Sequence, residues 1–262
     1  MMQQEIKIFF TALMFYTRIP CPKNIDHAEE NLNKATRYFP LIGWLVGAIS
    51  FIVFAISDWL FGTNVAVVLS FVAGVLTTGA FHEDGFGDVC DGFGGGWTKD
   101  KILEIMKDSR VGAYAVVGLI LLFVVKYFAL NNLMEYVSKD YLLIFFFFIN
   151  YHALSRFMAI NISFVLPYSR ADESSKCKPI AKSYGKAEVF GVYFFGLLPL
   201  LFLCIWHWQF AIVLLPLFLA FLYLKAYYNK WLDGYTGDCL GAAQQVGEIV
   251  CLLTFLAVWR YM

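Results

Sequence analysis

Seven long apolar segments constrain this chain more than any other feature of its sequence. Each is long enough, or nearly so, to cross the roughly 30 Å hydrocarbon core of a bilayer as an α-helix. Hydrophobic residues make up 60% of the chain and charged residues 15%, far from the average of soluble proteins. The sequence predicts an all-α, polytopic membrane bundle, one domain over residues 1–262. About seven transmembrane helices are expected, near residues 41–61, 65–81, 111–130, 141–161, 189–206, 209–230 and 240–260.

The N-terminal apolar stretch, about residues 5–17, is too short to cross a bilayer. Because Lys7 and Arg18 flank its apolar face, we interpret it as an interfacial or re-entrant helix of the mature protein. The six cysteines form no C-x-x-C pair, which argues against a zinc site and a disulfide framework. A formal net charge of zero, without a long basic run, gives no reason to expect a nucleic acid as partner.

Basic residues alternate between the two sides of the predicted bundle. One set of loops and the C-terminus hold only Lys139 and Arg260. The other side holds two to five basic residues in each of the segments 18–40, 82–110, 162–188 and 225–239. Since short loops rich in Lys and Arg stay in the cytoplasm, the C-terminus is expected outside and the long polar loops inside. The predicted location is a bacterial cytoplasmic (inner) membrane, with the active site on its cytoplasmic face.

The stretch HEDGFGDVCDGFGGG, residues 82–96, directly follows the second predicted span. Asp84, Asp88 and Asp91 recur at spacings of four and three, so they share one face if the span continues as a helix. Carboxylates grouped beside a low-dielectric slab repel one another, and a divalent cation removes this conflict. Mg²⁺ prefers oxygen ligands and is often shared between carboxylates and substrate phosphates. The motif therefore predicts a Mg²⁺ site, the alternative being a solvated polar loop.

Nearby residues favour a phosphate ligand at this site. Gly85 and Gly87 remove Cβ atoms beside the acids, which would let phosphate oxygens approach the backbone. The glycines of residues 92–96 predict a flexible stretch that could close over a ligand. The segment KDSR, residues 107–110, brings positive charge back to the start of the next span. Its Lys107 and Arg110, with Asp108 between them, are candidate substrate-binding residues.

A second cytoplasmic cluster, LDGYTGDCLGAAQQVGE at residues 232–248, leads into the last span. Its Asp238 could join the metal site or bind a substrate hydroxyl. Glu248 falls inside the apolar region, where ionisable groups are costly and usually face the bundle interior or a wet cavity. It is a candidate substrate-binding residue, the alternative being a polar group that packs helices together.

Other charged residues are weaker candidates. Arg37 closely precedes a span and could contact substrate, and His82 could do the same, although a lone interfacial histidine is more often structural. Snorkelling explains Lys126 adequately, and Glu83 points about 100° away from Asp84 on a helix. His152 and Arg156 lie four residues apart in the fourth span and are not assigned to the site. The loop after that span adds basic residues that also serve as topology signals, namely Arg170, Lys176, Lys178 and Lys182.

Several motifs together resemble one enzyme family. The chain is similar to cobalamin synthases, adenosylcobinamide-GDP ribazoletransferases, and the similarity covers nearly its whole length. The matching blocks, in chain order, are FYTRIPCP at 15–22, RYFPLIGWLVGA at 37–48, FHEDGFGDVCDG at 81–92, LEIMKDSRVGAYA at 103–115 and GYTGDCLGAAQQVGE at 234–248. Two positions depart from the family pattern, since Glu83 stands where an apolar residue is usual and Gly87 where alanine is frequent.

The resemblance implies a defined reaction. The hydroxyl of α-ribazole, or of its 5′-phosphate, would attack the phosphorus nearer the cobinamide in adenosylcobinamide-GDP, and GMP would leave. It implies that Asp84, Asp88 and Asp91 bind Mg²⁺, with Asp84 or Asp88 positioning or deprotonating the hydroxyl. Lys107 and Arg110 would hold the diphosphate. Because the corrinoid ring is large, a neighbouring subunit of a homo-oligomer could meet it.

Two alternatives remain open from the sequence. The D-G-x-x-D pattern also resembles CDP-alcohol phosphotransferases, but Val89 and Cys90 follow Asp88 where that family has an arginine. A cation-coupled transporter would use the same acids as ion ligands and Glu248 as a proton relay. Against the transporter stands the position of the acids at an interface instead of the midplane, and only the enzymes would release a nucleoside monophosphate.

Overall fold

The computed structural model describes residues 2–22, 29–137, 140–170 and 184–262. Over these ranges the regular structure is helical, as the sequence predicts. Two 3-10 turns, Thr36–Tyr38 and Trp208–Val213, accompany the α-helices. The helices are α1 Met2–Tyr16, α2 Glu29–Ala35, α3 Phe39–Phe61, α4 Thr63–Thr78, α5 Phe81–Gly95, α6 Lys99–Ile105, α7 Ala113–Val137, α8 Tyr141–Val165, α9 Lys186–Trp206, α10 Leu214–Leu232 and α11 Gly237–Arg260.

By length and composition, six helical segments of the described chain suit a membrane crossing, and a seventh does if α4 and α5 form one broken span. This confirms the prediction of a polytopic helical bundle with about seven spans. The six segments are Glu30–Phe61, Ala113–Val137, Tyr141–Val165, Lys186–Trp206, Trp208–Leu232 and Gly237–Arg260.

The second predicted span does not run straight into the acidic motif. Helix α4 ends at Thr78, and α5 leaves it at an angle of 91°. The turn uses left-handed backbone at Gly79 (φ 68°) and Ala80 (φ 59°), a conformation that costs little for glycine and more for alanine. A Cβ at position 79 would lie 2.4 Å from Nε of Arg18, so only glycine fits this turn.

Helix α8 forms the centre of the bundle. Its apolar window is 83% buried, the largest share among the candidate spans, and it packs against α3, α9 and α11. Helix α11 in turn packs against α5, α7 and α8. Because α5 and α7 both contact α11, the acidic motif lies against the N-terminal half of the last span instead of in a free loop. The N-terminal helix α1 buries Ile8, Ala12 and Tyr16 against this bundle.

Candidate active site

Helix α5 places its first two acids beside the start of α11. Asp84 is exposed and Asp88 is half-buried, and both lie close enough to Asp238 to interact with it electrostatically. The close approach depends on Gly85, since a Cβ there would lie 3.0 Å from Cα and from the carbonyl oxygen of Asp238. Two helices thus bring these three carboxylates within electrostatic range of one another.

The glycines of the motif serve helix packing. Gly85 faces α11, and a Cβ at Gly87 would lie 3.4 Å from Cβ of Ala115 on α7. The prediction that they open the backbone to phosphate is therefore wrong. The predicted flexible stretch is also wrong, because α5 continues as a helix to Gly95. There a Cβ at Gly94 would clash with the ring of Tyr114.

Asp91, the third acid, has a different environment from Asp84 and Asp88. Its Oδ2 accepts a hydrogen bond from the backbone N–H of Gly112 (2.6 Å) and its Oδ1 accepts one from Ala115 (2.9 Å). These N–H groups lie at the N-terminus of α7, one just before its first residue and one in its first turn, where such donors lack helical partners. The Asp91 carboxylate therefore caps α7, and its predicted role as a metal ligand stays a prediction.

Arg170 supplies the positive charge nearest to these acids. Its Nη2 donates a hydrogen bond to Oδ2 of Asp238 at 2.9 Å, and it also interacts electrostatically with Asp88. Backbone hydrogen bonds position it, since Ser169 N–H donates to the carbonyl of Tyr235 (2.9 Å) and Tyr235 N–H to that of Pro167 (3.0 Å). Lys176, Lys178 and Lys182 lie outside the described residues.

The donor chemistry of Asp84, Asp88 and Asp238 fits Mg²⁺, which takes carboxylate oxygens. Within the described ranges, no group of three or more His, Cys, Asp or Glu side chains lies close enough to enclose a metal ion by itself. Mg²⁺ usually retains waters and completes its shell with substrate phosphates. The magnesium site stays a prediction.

Two charged residues of the KDSR segment pair with each other. Arg110 pairs with Asp108 through Nε and Nη2 (3.0 and 2.5 Å), and the arginine side chain is 88% exposed. The guanidinium holds the pKa of Asp108 to about 2. Lys107 is exposed. A diphosphate that binds this edge of the guanidinium would therefore have to displace Asp108.

Arg37 and His82 do not face the acids. Arg37 pairs with Glu5 (3.0 Å) and with Glu188, which ties α1 and α9 together at the start of α3. His82 is 2% exposed and stacks on Phe39 with a centroid distance of 5.8 Å. Both positions suit structural roles, and substrate binding by either stays a prediction.

The cluster around Glu248 is the largest feature that the sequence did not predict. Its carboxylate pairs with Lys126 of α7 and with Nδ1 of His152 of α8 (2.9 Å), and Nη1 of Arg156 lies 3.9 Å away. The snorkelling explanation of Lys126 is wrong, since this side chain is only 4% exposed. Ionisable residues in three spans were the available signal, but the sequence did not show that they meet.

The chain is similar to one family of known proteins over nearly its whole length. The family model described as cobalamin-5-phosphate synthase matches residues 8–256. A protein of Leptospira interrogans named adenosylcobinamide-GDP ribazoletransferase is 40% identical over 99% of this chain and 98% of its own length. Proteins of the same name from Shewanella frigidimarina and Leptospira biflexa are 41% and 37% identical, each over 97% of this chain, and over 96% and 97% of their own lengths. No solved structure matches the chain significantly.

A match of this extent decides among the alternatives that the sequence left open. It spans every helix that contributes to the acidic site, from α5 to the start of α11. The relatives are named as transferases, and the match covers nearly their full length. The chain is a member of the cobalamin-5-phosphate synthase family.

Proposed function

We propose that this protein is an adenosylcobinamide-GDP ribazoletransferase of a bacterial cytoplasmic membrane. It joins the adenosylcobinamide phosphate of adenosylcobinamide-GDP to α-ribazole, or to α-ribazole 5′-phosphate, and releases GMP. The relatives named above support the reaction. The observation that carries the assignment to this site is the meeting of Asp84 and Asp88 on α5 with Asp238 on α11, beside the cation of Arg170.

The chain's own residues account for each part of the displacement. The ribazole hydroxyl attacks the phosphorus nearer the cobinamide, and its proton passes to the carboxylate of Asp84 or Asp88. The bond from that phosphorus to the oxygen bridging the two phosphorus atoms breaks, and this oxygen leaves with GMP. Arg170, together with Lys107 and Arg110, neutralises the diphosphate. Because little covalent chemistry falls to the protein, positioning and charge neutralisation supply most of the rate.

The acids at this site are the proposed Mg²⁺ ligands. Asp84, Asp88 and Asp238 would hold the ion, with Asp91 within reach of Asp88. When bound, Mg²⁺ neutralises charge on the phosphate oxygens. Asp84 has the most open position of the four, since it is exposed. This exposure makes it the first ligand to test.

The proposed membrane orientation rests on the distribution of basic residues. Basic residues are concentrated on the side of the bundle that holds α6, Arg170 and the start of α11, which supports an orientation with the acidic site on the cytoplasmic face and the C-terminus outside. Nucleotide substrates are made in the cytoplasm, so this orientation gives them direct access to the site. The lipid bilayer is the solvent for the remaining helix surfaces.

Membranes containing the protein should be incubated with adenosylcobinamide-GDP and α-ribazole, with and without Mg²⁺, while GMP and cobalamin are followed by chromatography. Equal amounts of both products are expected, dependent on Mg²⁺ and lost in Asp84→Asn. Glu104→Gln is the matched control, because this exposed carboxylate on α6 pairs only with Lys101 among the described residues. Absence of both products from folded, membrane-inserted protein would refute the proposal.

A further inference from the structure

A buried polar network lies directly behind the acidic face of α5. Nε2 of Gln245 donates a hydrogen bond to Oε1 of Glu83 (3.0 Å), and Nζ of Lys126 donates to Oε1 of Gln245 (3.2 Å) and to Glu248. Glu248 also accepts a hydrogen bond from Gln244 (2.6 Å). A continuous chain of hydrogen bonds therefore runs from α5 through α11 to α7.

The positive and negative charges of this network balance one another, so its members depend on each other. Two carboxylates, Glu83 and Glu248, face two cations, Lys126 and Arg156, and all four side chains are buried or nearly so. Removing one charge from such a group leaves another without compensation in a region that solvates it poorly. Glu83 is the member that belongs to α5 and is the nearest to the acidic face.

Contacts with α11 add to the turn from α4 in setting the position of α5. The chain turns by 91° at two left-handed residues, Gly79 and Ala80. Beyond this turn the α5 backbone lies directly on α11, since a Cβ at Gly241 would lie 3.2 Å from the carbonyl oxygen of His82. No side chain lies between the two backbones at this contact. A shift of α5 relative to α11 would therefore also move the acidic side chains of α5.

We infer that the hydrogen bond between Glu83 and Gln245 positions Asp84, the next residue of α5, against Asp238 of α11. Glu83 is thus a positioning residue and not a catalytic one. The inference deepens the proposed function, and its link to activity rests on that function. The position of α5 itself can be measured without any turnover.

The native Cys90 provides this measurement. A Cβ built at Gly118 of α7 lies 3.4 Å from Cβ and 2.7 Å from Sγ of Cys90. With a small rotation of the Cys90 side chain, the two Cβ atoms come close to the spacing of about 3.8 Å that a disulfide needs. Gly118→Cys should therefore form a disulfide with Cys90 under mild oxidation, detected in peptides by mass spectrometry. The rate of this crosslink reports how often α5 occupies its observed position against α7.

Glu83→Ala in the Gly118→Cys background should slow the crosslink about threefold or more. In the native background it should lower kcat about tenfold or more, while KM for α-ribazole changes by less than about twofold. Gln245→Leu should have at least these effects, because it also removes the hydrogen bond from Lys126. The double variant should be no worse than Gln245→Leu alone, because the bond between Glu83 and Gln245 is already absent there. Glu83→Gln retains an acceptor for Gln245 but removes a charge from the network, so it should recover the crosslinking rate in part.

Tyr141→Phe is the matched control. It removes a hydrogen bond of 2.7 Å to Asp58, a polar contact between α3 and α8 that does not involve α5, and it should leave both the crosslinking rate and kcat unchanged. Normal crosslinking in Glu83→Ala, or additive losses in the double variant, would overturn the inference. Should Glu83→Ala fail to insert, Gln245→Leu makes the same test from α11. Failure of the proposed function would appear separately, as absence of GMP from the unaltered protein.

Discussion

Lys126 of α7 and Glu248 of α11 form an ion pair in the interior of the bundle, where their side chains are 4% and 2% exposed. Each residue sits in a helix that is otherwise apolar enough to cross a bilayer. Such groups persist in a membrane protein when they pair with one another inside the bundle. The pair joins two of the helices on which α5 rests.

Lys126→Met should destabilise the protein strongly, because it leaves the Glu248 carboxylate with one fewer cation. Breaking a buried ion pair from one side typically costs about 3–5 kcal/mol of unfolding free energy. The melting temperature in a fixed detergent, followed by tryptophan fluorescence, measures this loss. Lys126→Met combined with Glu248→Met should melt at a higher temperature than Lys126→Met alone. If the double variant melts lower than both single variants, the pair does not act as a unit.

Asp91→Ala tests whether the Asp91 carboxylate stabilises the protein by capping α7. The substitution removes two hydrogen bonds to the N-terminus of α7, and loss of a helix cap costs about 0.5–2 kcal/mol. The melting temperature of Asp91→Ala should therefore fall, whereas that of Asp84→Asn should not, since Asp84 is exposed. Equal melting temperatures for Asp91→Ala and the native protein would contradict the capping role.

Gly85→Val tests the direct contact of α5 with α11. A Cβ at this position meets the Asp238 backbone at 3.0 Å, and backbone cannot move aside as a flexible side chain can. The two helices must separate, so GMP release should fall about tenfold or more even in protein that inserts into the membrane. Gly237→Ala is the control, because no atom lies within 4 Å of a Cβ there. Native activity in Gly85→Val would show that the contact is not needed.

The sequence predicted those features that depend on local pattern. Spans follow from runs of apolar residues, and the predicted boundaries of α8 and α11 agree with the structure within a few residues. The shared face of Asp84 and Asp88 follows from helical spacing alone. The positions of the helices, and the residues that share one face of a helix, can therefore be predicted before any tertiary contact is known.

Features set by tertiary contacts were not predictable in the same way. The 91° turn before α5 arises at Gly79 and Ala80, and nothing in a run of small apolar residues specifies that angle. Asp91 looks equivalent to Asp84 in spacing, but the start of α7 binds its carboxylate. Lys126 was explained by snorkelling because its partner, Glu248, lies in a helix far along the chain.

Asp108 holds Arg110, the residue proposed to bind the substrate diphosphate. The arginine holds the pKa of Asp108 to about 2, below its ordinary value of 3.8. A lowered folded-state pKa means that the pair is fully charged above the ordinary pKa and is lost only as the pH falls through about 2. At any pH suited to the assay, Asp108 therefore remains ionised, and a change of pH within that range does not release the guanidinium.

Asp108→Asn should weaken this pairing and lower KM for adenosylcobinamide-GDP about twofold to threefold, with kcat little changed. Arg110→Gln should raise the same KM. The native value should rise with ionic strength, because salt screens the attraction between the exposed Arg110 and the substrate diphosphate. Initial rates of GMP release at two salt concentrations measure these effects. Lys101→Gln, which removes an exposed cation paired with Glu104, is the control and should leave KM unchanged. A KM that rises in Asp108→Asn as much as in Arg110→Gln would mean that Asp108 orients the arginine for substrate instead of competing with it.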